Sequence, residues 1–432
     1  MSSLKVAIIG AGPAGCTLAL LLQENPSIQV TIFEAEESAN SRSQGGTLDL
    51  HDKTGLAAIK RAGLLKGFQA KARYDAEAFV LADKSLKRFV NVDGTTKDTS
   101  RGRPEIDRED LRHLLLEKIP ESTIKWGRKV RSIGEDNTIK FDNHTETGFD
   151  LVVGADGGWS KVRPLLTTVM PAYSGICMIR LRIKNAKAAA PDIYKLVNHG
   201  SFFSASDSKW LVGQQLGDGS IQVALGSTRP ESWIRTTDVD IHDAKAVKRY
   251  LLEQCADWSP EHRAMIAATD DDEPWIRNLY HLPVGHRWPS KGHVTLIGDA
   301  AHLFTPFAGE GVNLAMADAM KLADAIIKTA NSTSKTNLSH NIKEFEEDMF
   351  VRAAKYAGMT FKMMSCMFFT DGSPDSVIEE YICTAMSGSL PWYLMPFGRA
   401  AIYAYFWYWR RFGGGAAKVP VEALLPLDLK QD

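Results

Sequence analysis

The sequence predicts an α/β fold: a parallel β-sheet flanked by helices, an inserted antiparallel sheet, and helices at the C-terminal end. Three observations support this class. Short apolar runs, each ending at a glycine, recur near residues 10, 154 and 298, as is typical of strands buried on both faces of a parallel sheet. Residues from about 170 to 280 contain strand-like runs separated by a turn signal. The last hundred residues contain helical patterns, at about 342–364 and 375–386.

The composition is that of a globular protein and excludes several classes. Of the 432 residues, 44% are hydrophobic and 24% are charged, which argues against a disordered or fibrous chain and suggests two or three domains. Because 51 basic and 52 acidic residues leave a formal net charge of −1, we expect no nucleic-acid partner. The five cysteines include no C-x-x-C pair, so we expect no metal site, and reduced thiols in a cytoplasmic protein.

The first predicted element is a nucleotide site at the start of the chain. The apolar run at residues 4–9 predicts a buried strand and not a signal peptide, and a G-x-G-x-x-G motif follows it at residues 10–15. A helix and a second strand at residues 28–33 complete the unit. Glu34 ends that strand, where a carboxylate hydrogen-bonds ribose hydroxyls and favours NAD or FAD over NADP.

The glycines of this motif have separate tasks. Gly10 permits the tight turn from strand to helix, and Gly12 lets a pyrophosphate approach the backbone. Gly15 lets the helix and the strand pack closely. The helix N-terminus supplies free amides and the positive end of a dipole to the phosphates.

Two later segments favour FAD over NAD. Another buried strand leads into Asp156-Gly157, where we expect a helix to begin near Ser160 and Arg163. A third strand ends at Gly298-Asp299, and a loop then leads to a helix over residues 312–328. Since ligands bind at the carboxyl ends of parallel strands, three such sites indicate one long cofactor. Asp299 could accept hydrogen bonds from a ribityl chain, and the helix dipole could face a flavin ring.

Taken together, these three motifs resemble the class A flavoprotein monooxygenases, the p-hydroxybenzoate hydroxylase-like family. Three stretches are closest to the tetracycline-inactivating flavin monooxygenases: GGTLDLH at 45–51, PEIDREDLR at 104–112 and GDAAHLFTPFAGEGVN at 298–313. The resemblance implies a Rossmann-like FAD-binding domain with an inserted antiparallel-sheet substrate domain. It divides the chain into FAD-binding parts at 1–75, 104–168 and 283–330, a crossover at 76–103, a substrate domain at 169–282 and a C-terminal helical region at 331–432.

The resemblance also implies which residues bind FAD. Glu34 would bind the adenosine ribose, Arg42 the phosphates of FAD or NADPH, Arg108 the pyrophosphate and Asp299 the ribityl chain. The full set is Gly10, Gly12, Ala14, Gly15, Glu34, Arg42, Gly46, Asp49, Arg108, Asp156, Asp299, Gly311 and Val312. Without the resemblance, Arg42 and Arg108 could also be surface arginines, Asp49 a simple turn residue, and His51 and His302 structural histidines.

The substrate side is predicted from the middle of the chain. Arg180 is the first candidate for a catalytic residue, with an exposed strand arginine as the alternative, and Gln214, Gln222 and Pro306 are candidates for substrate contact. Where the tetracycline-inactivating enzymes carry Gln, His and Gly in the matching strands, this chain has Arg180, Gln222 and Ala224. We therefore expect an aromatic or polyketide-like small molecule and not tetracycline itself.

The implied reaction is FAD-dependent monooxygenation. NADPH or NADH would visit the flavin as a transient co-substrate, and reduced flavin with dioxygen would give a C4a-hydroperoxide that hydroxylates the substrate. Secondary metabolism or xenobiotic modification is the expected setting. The alternatives are an oxidase, a Baeyer–Villiger oxygenase or a reductase on the same scaffold, and a non-catalytic protein that keeps the nucleotide fold.

The C-terminal segment 391–411 is rich in aromatic residues and ends in two arginines. One interpretation is peripheral contact with a membrane, since aromatic and basic residues are enriched at its interface. The other is a helix that packs over the substrate pocket or against a partner chain. Pro396 and Arg399 interrupt the run, which argues against a spanning segment. The oligomeric state is left open.

Overall fold

The computed structural model describes residues 3–41, 45–76, 78–92, 103–332, 337–387, 391 and 393–412. The chain forms two units, each built from three separate segments. Unit 1 comprises Met1–Ala72, Ile106–Ala172 and Tyr280–Gly358. Unit 2 comprises Arg73–Glu105, Tyr173–Leu279 and Met359–Asp432.

The strands of the described residues are β1 (Leu4–Ile9), β2 (Ile28–Phe33), β3 (Thr47–Asp49), β4 (Phe79–Ala82), β5 (Arg88–Val92), β6 (Glu105–Asp107), β7 (Ile124–Lys125), β8 (Ser132–Ile133), β9 (Ile139–Lys140), β10 (Thr145–Glu146), β11 (Leu151–Gly154), β12 (Ala172–Ile183), β13 (Ser201–Ser206), β14 (Lys209–Gln215), β15 (Ile221–Thr228), β16 (Trp275–His281) and β17 (Val294–Leu296).

The α-helices of the same residues are α1 (Pro13–Leu22), α2 (Gly55–Arg61), α3 (Leu65–Lys71), α4 (Arg108–Leu116), α5 (Ala186–Ala189), α6 (Pro191–Val197), α7 (Trp233–Thr236), α8 (Ala244–Gln254), α9 (Pro260–Ala267), α10 (Asp299–His302), α11 (Gly311–Ala330), α12 (Asn337–Phe368), α13 (Ile378–Met386) and α14 (Met395–Phe412).

Unit 1 is built on a five-stranded parallel sheet in the order β17-β11-β1-β2-β7. The central strand β1 is buried at all positions but Lys5, because sheet neighbours and packed elements cover both of its faces. Helices α1 and α11 contact each other and contribute to the core that surrounds the sheet. The predicted parallel sheet and its first three elements are confirmed.

The helix expected near Ser160 and Arg163 was wrong. After β11 the chain makes only a three-residue 3-10 turn, Arg163–Leu165. The Ser160 hydroxyl accepts hydrogen bonds from the amides of Val162, at 3.0 Å, and Arg163, at 3.1 Å, as an N-cap residue does. The turn does not continue as a helix, because the β-branched residues at 167–169 and then Pro171 follow it.

Unit 2 contains a seven-stranded sheet in the order β16-β12-β15-β14-β13-β4-β5. The strand pairs from β12 to β13 and the pair β4–β5 are antiparallel, and β13 pairs with β4 in parallel. Residues of α5, α6, α8 and α9 pack with alternate strand residues into an apolar core on one face. The predicted class, with its antiparallel sheet and C-terminal helices, is confirmed.

The C-terminal helices differ in their bounds from the predicted patterns. The pattern at 342–364 extends to the 32 residues of α12, and the one at 375–386 begins at Ile378. The aromatic run forms the 18-residue helix α14. Over the described ranges, none of the helices is both long and apolar enough to cross a membrane.

Candidate functional site

The carboxyl ends of three strands of unit 1 lie side by side. The order β17-β11-β1 makes neighbours of the segments near residues 10, 154 and 298. Backbone hydrogen bonds fix them: the Ala155 amide donates to the Ile9 carbonyl at 2.8 Å, and the Ile297 amide donates to the Gly154 carbonyl at 2.9 Å. The three sequence motifs therefore form one edge of the sheet, where ligands of such folds bind.

The glycine motif of residues 10–15 forms a tight turn into α1. Gly10 has φ +106°, which an L-residue rarely adopts. A Cβ on Gly15 would lie 2.1 Å from the Gly10 carbonyl oxygen, so only glycine allows this approach. A Cβ on Gly12 would have no described atom within 4 Å. Gly12 therefore faces open space at the N-terminus of α1, as a backbone that accommodates a pyrophosphate should.

These two glycines are expected to respond differently to alanine. Gly12→Ala adds a methyl group to open space, so the melting temperature of the apoprotein should stay unchanged while the Kd for FAD rises about tenfold or more. Gly15→Ala, the control for a structural defect, should lower the melting temperature because of the close contact with Gly10. Thermal unfolding and flavin-fluorescence titration would measure both. Unchanged FAD affinity in Gly12→Ala would contradict the role of Gly12.

Two backbone amides hold Glu34 beside the glycine motif. Its Oε2 atom accepts a hydrogen bond from the Ala11 amide at 2.6 Å, and its Oε1 atom accepts one from the Glu36 amide at 2.9 Å. A carboxylate has about four acceptor sites, so its remaining lone pairs could bind ribose hydroxyls. Cys16 lies nearby in α1, and burial raises the pKa of its thiol to about 12, which makes it an inert packing residue.

Arg112 is a residue of this region that the sequence did not single out. Its side chain is buried and pairs with Glu36, while Nε and one terminal nitrogen have no hydrogen-bond partner among the described residues. Arg112 follows Arg108 by four residues and so lies on the same side of α4. That spacing was the signal that could have identified it.

Arg108 and Asp299 lie close enough in unit 1 for their charges to interact. Both side chains are accessible to water, yet the surrounding protein lowers the pKa of Arg108 and raises the pKa of Asp299 through desolvation. Each opposes the shift of the other through its charge, and His302 also opposes that of Asp299. A cation and an acceptor whose charges interact fit a ligand that carries phosphates and hydroxyl groups, as FAD does.

Asp49 belongs to a polar cluster at the start of α11. His51 Nε2 lies 2.9 Å from Asp49 Oδ2, and His51 Nδ1 lies 3.4 Å from Glu310 Oε2. The buried Asn313 fixes this segment, since its amide nitrogen donates to the Asp49 carbonyl at 2.9 Å and its Oδ1 accepts from the His51 amide at 2.8 Å. Gly309 precedes the cluster in the left-handed region, at φ +68°.

Asp156 caps the turn that follows β11. Its Oδ2 atom accepts a hydrogen bond from the Lys161 amide at 2.6 Å. Desolvation raises the pKa of Asp156, although hydrogen bonds from Ser160 and Lys161 oppose the shift. Arg163, only 1% exposed, donates to the Gly158 carbonyl at 2.6 Å and to the Ala300 carbonyl at 3.1 Å. The Asp156-Gly157 and Gly298-Asp299 segments are therefore tied to each other through one buried guanidinium.

Asp318 holds the Gly298-Asp299 segment from the opposite side. This fully buried carboxylate accepts a hydrogen bond from the Gly298 amide at 3.2 Å and one from Arg352 at 2.8 Å. Its Oδ2 atom lies 2.5 Å from His302 Nε2. Burial would raise the pKa of Asp318, but His302 and Arg352 together lower it below its usual value. His302 therefore has a structural partner, in line with its interpretation as a structural histidine.

The structure describes four further predicted cofactor residues, namely Ala14, Gly46, Gly311 and Val312. Ala14 is buried in α1, and the Gly46 carbonyl accepts a hydrogen bond from the Arg108 amide at 3.0 Å. Gly311 and Val312 are the first residues of α11. Arg42 lies outside the described residues. The sequence did not identify the pair of His302 and Asp318, or the contacts of Glu310 and Asn313 with the segment of Asp49 and His51, because the partners are separated in the chain.

The substrate candidates occupy two places. Pro306 begins a 3-10 turn, Pro306–Ala308, in unit 1. In unit 2, Arg180, Gln214 and Gln222 lie on the sheet face opposite the apolar core: Gln214 pairs directly with Gln222, and Arg180 pairs with Ala224. The Arg180 guanidinium stacks over the Trp275 ring at 4.1 Å from its centroid, a cation–π contact that fixes the arginine.

Comparisons with known proteins agree with this geometry. The family model described as "FAD binding domain" matches residues 3–347. The chain is 30% identical to "Monooxygenase asqM" of Emericella nidulans, over 87% of this chain and 97% of the relative, and 26% identical to "Salicylate hydroxylase" of Pseudomonas putida, over 82% and 83%.

Solved structures with low sequence identity share the fold. HpxO of Klebsiella pneumoniae, complexed with FAD and uric acid, superposes with a TM-score of 0.71 at 18% identity, over 93% of this chain and 97% of that chain. Tetracycline destructase Tet(51) superposes with a TM-score of 0.62 at 20% identity, over 90% and 99%. The resemblance stated from the motifs is confirmed, and the chain belongs to the FAD binding domain family of flavoprotein monooxygenases.

Proposed function

We propose that this FAD-dependent monooxygenase uses NADPH or NADH and dioxygen to hydroxylate an aromatic or polyketide-like small molecule. The observation that carries the proposal is the pair of Arg108 and Asp299 in unit 1, a cation and an acceptor whose charges interact, together with a glycine turn that is open at Gly12. The names of two relatives, a monooxygenase and a salicylate hydroxylase, support this type of reaction. A setting in secondary metabolism or in the modification of foreign compounds is part of the proposal.

The chain's own residues would hold the cofactor along the strand ends. Glu34 would accept hydrogen bonds from the ribose hydroxyls. The pyrophosphate would be bound by Arg108, by the Gly12 backbone and by the N-terminus of α1. Asp299 would accept hydrogen bonds from the ribityl chain, while Asp156 would keep the neighbouring turn in place. When bound, FAD supplies the hydride acceptance and oxygen activation that no protein side chain provides.

The N-terminus of α11 would stabilise negative charge on a bound group. The 20 residues of this helix direct a positive dipole end and the amides of Gly311 and Val312 toward the loop of Gly309 and Pro306. Such a terminus stabilises negative charge on a neighbouring group. Asn313 would keep Asp49 beside this terminus by its two hydrogen bonds, so the polar cluster is positioned before a ligand arrives.

The face of the unit 2 sheet that carries Arg180, Gln214 and Gln222 would contact the substrate. Gln214 and Gln222 each offer a carbonyl and an amide group that can orient a polar oxygen. Arg180, the catalytic candidate, would pair with a phenolate or enolate oxygen and so favour the ionised, electron-rich form of the substrate. Its stacking on Trp275 would hold the guanidinium in one orientation.

The proposal is tested by the spectrum and turnover of the purified protein. With a panel of phenolic and polyketide compounds, we expect flavin absorption bands, NADPH oxidation stimulated by one compound class, and a product heavier by one oxygen atom. A product without added oxygen but with hydrogen peroxide would favour an oxidase, and oxygen inserted into a carbon–carbon bond would favour Baeyer–Villiger chemistry. A protein that cannot be reconstituted with FAD would contradict the proposal.

Arg180 can be tested against a matched neighbour. Arg180→Gln should lower kcat/KM by roughly 10- to 100-fold, as expected for loss of a hydrogen bond to a charged oxygen. Arg182→Gln is the control, since Arg182 lies two residues away on the same face but pairs with Asp218 and Ser220. The loss in Arg180→Gln should shrink at a pH above the substrate's own pKa, where the substrate is already ionised. Equal effects of both variants would contradict the role of Arg180.

A further inference from the structure

Helix α14 of unit 2 has apolar residues on two opposite sides. On one side, Phe406 and Trp409 are buried, and Trp409 packs against Phe89 with ring centroids 5.6 Å apart. The opposite side is the α14 outer face, defined here by residues that recur at intervals of three and four and that are all exposed: Phe397, Ala401, Ala404, Trp407, Tyr408 and Arg411.

The inner side of α14 is held by ion pairs as well as by aromatic packing. Arg410 donates to Asp375 Oδ1 at 3.0 Å and pairs with Glu379, and Arg399 donates to Glu380 at 2.6 Å. These contacts determine which side of the helix faces the unit. The outer face therefore points away from the described residues that hold the helix.

The outer face exposes aromatic surface to an unusual degree. Phe397 is 74% exposed, and Trp407 and Tyr408 are each 61% exposed. Phe412, at the end of the helix, is 62% exposed. A helix that is apolar all round is normally covered on all sides, by protein or by lipid. Such a continuous aromatic and alanine surface indicates a binding surface.

The charge of the α14 outer face indicates which kind of partner it binds. The printed sequence has no acidic residue between positions 391 and 412. Among the described residues, the acidic side chains that pair with α14 are Asp375, Glu379 and Glu380, which lie at its inner side and are engaged by Arg399 and Arg410. Arg411 remains on the outer face, with its guanidinium 5.9 Å from the centroid of the Trp407 ring. The surface is therefore aromatic and cationic.

We propose that the α14 outer face lies flat in the interface of a membrane that contains anionic lipid. Trp407, Tyr408 and Arg411 belong to the residue types that such an interface favours, and they lie together on the outer face of this 18-residue helix. The aromatic rings enter the headgroup region, and Arg411 pairs with lipid phosphate. This inference concerns localisation and is independent of the proposed function.

Vesicle co-sedimentation of the full-length holoprotein tests the proposal. We expect binding to vesicles of phosphatidylcholine with a quarter phosphatidylglycerol, and weaker binding to phosphatidylcholine alone. The triple variant Phe397→Ser, Trp407→Ser, Tyr408→Ser should lower the partition coefficient by about tenfold or more, and Arg411→Gln by roughly fivefold on the anionic vesicles only. The control is Val351→Ser with Phe369→Ser, which removes two exposed apolar residues outside α14 and should leave binding unchanged.

The outcomes separate the membrane from other occupants. Equal melting temperatures and FAD content in all variants would show that the substitutions leave the fold intact. Absence of vesicle binding by the wild-type protein would overturn the proposal. The proposal would also be overturned if light scattering showed self-association that the triple variant abolishes and vesicle binding were absent. The outer face would then join two copies of the chain.

Discussion

Replacing Asp318 with alanine is expected to lower the free energy of unfolding by about 3–5 kcal/mol at pH 7. The carboxylate is fully buried and serves three groups: the Gly298 amide, His302 and Arg352. Its removal leaves the buried His302 ring and the Gly298 amide without this acceptor and leaves Arg352 with Asp348 as its remaining partner. Unsatisfied buried groups cost far more than the loss of an exposed ion pair. Urea unfolding of the apoprotein would measure the change.

The effect of Asp318→Ala should depend on pH. Burial alone would raise the pKa of Asp318, but the charges and hydrogen bonds of His302 and Arg352 hold it below its usual value. A carboxyl whose pKa is depressed in the folded state stabilises the protein above its unfolded pKa of 3.8 and loses that contribution as the pH falls through the folded value. The difference between wild type and variant should therefore shrink in acid.

A control for Asp318 lies on the same helix. Asp324 pairs with Arg61 at 2.6 Å, but its side chain is 59% exposed. Asp324→Ala should change the free energy of unfolding by less than about 1 kcal/mol. If both variants unfolded at the same urea concentration as the wild type, Asp318 would not hold the Gly298-Asp299 segment.

Variants of Arg108 and Asp299 are expected to bind FAD more weakly. The Asp299 variant should in addition have a more stable apoprotein than the wild type. Arg108→Ala should weaken FAD binding by about 2–4 kcal/mol, a rise in Kd of roughly 30- to 1000-fold, since truncating a charged partner of a phosphate leaves its charge unmatched. Asp299→Asn should weaken FAD binding by about 1–3 kcal/mol, because an amide is a poorer acceptor.

Asp299→Asn should also stabilise the apoprotein at neutral pH. Desolvation raises the pKa of Asp299, even though His302 and Arg108 oppose the shift. A carboxyl with a raised folded pKa binds protons more tightly in the folded state, so stability falls as the pH rises above the unfolded value of 3.8. The neutral amide removes this cost. Melting temperatures of the apoproteins between pH 4 and 8 would measure it.

The matched control for both variants is Asp52→Asn, an acidic residue with a side chain 59% exposed in the same unit. It should change neither FAD affinity nor apoprotein stability. If Arg108→Ala bound FAD with wild-type affinity, Arg108 would not be a FAD-binding residue. A lower melting temperature of apo Asp299→Asn at neutral pH would show that its carboxylate is a structural anchor.

Local patterns predicted the elements that are defined by a short stretch of sequence. The apolar runs gave β1 and β2 at Leu4–Ile9 and Ile28–Phe33, because continuous burial and flanking turn residues are both visible in the sequence. The predicted helix 312–328 corresponds to Gly311–Ala330. The helix expected near Ser160 does not extend beyond a 3-10 turn, because the N-cap signal of Ser160 is followed by β-branched residues at 167–169 and by Pro171.

The missed parts of the site depend on partners distant in the chain. Asn313 reaches the His51 amide across 262 residues, and Arg163 reaches the Ala300 carbonyl across 137. Hydrophobic periodicity reports burial and says nothing about which polar groups meet. The position of Arg180 on a strand could be predicted, but its stacking on Trp275 could not, since that contact depends on the pairing of two strands of the folded sheet.

The interleaving of the two units affects how the chain can fold during synthesis. Strand β1 begins at residue 4, but its sheet is completed by β11 near residue 151 and β17 near residue 294. At the usual 5–20 residues per second, a ribosome needs about 15–60 s to reach β17. During that time one sheet edge has no neighbour, which is the situation in which aggregation and chaperone binding compete with folding. Expression yield should therefore depend on translation speed and chaperone supply more than on the stability of the finished enzyme.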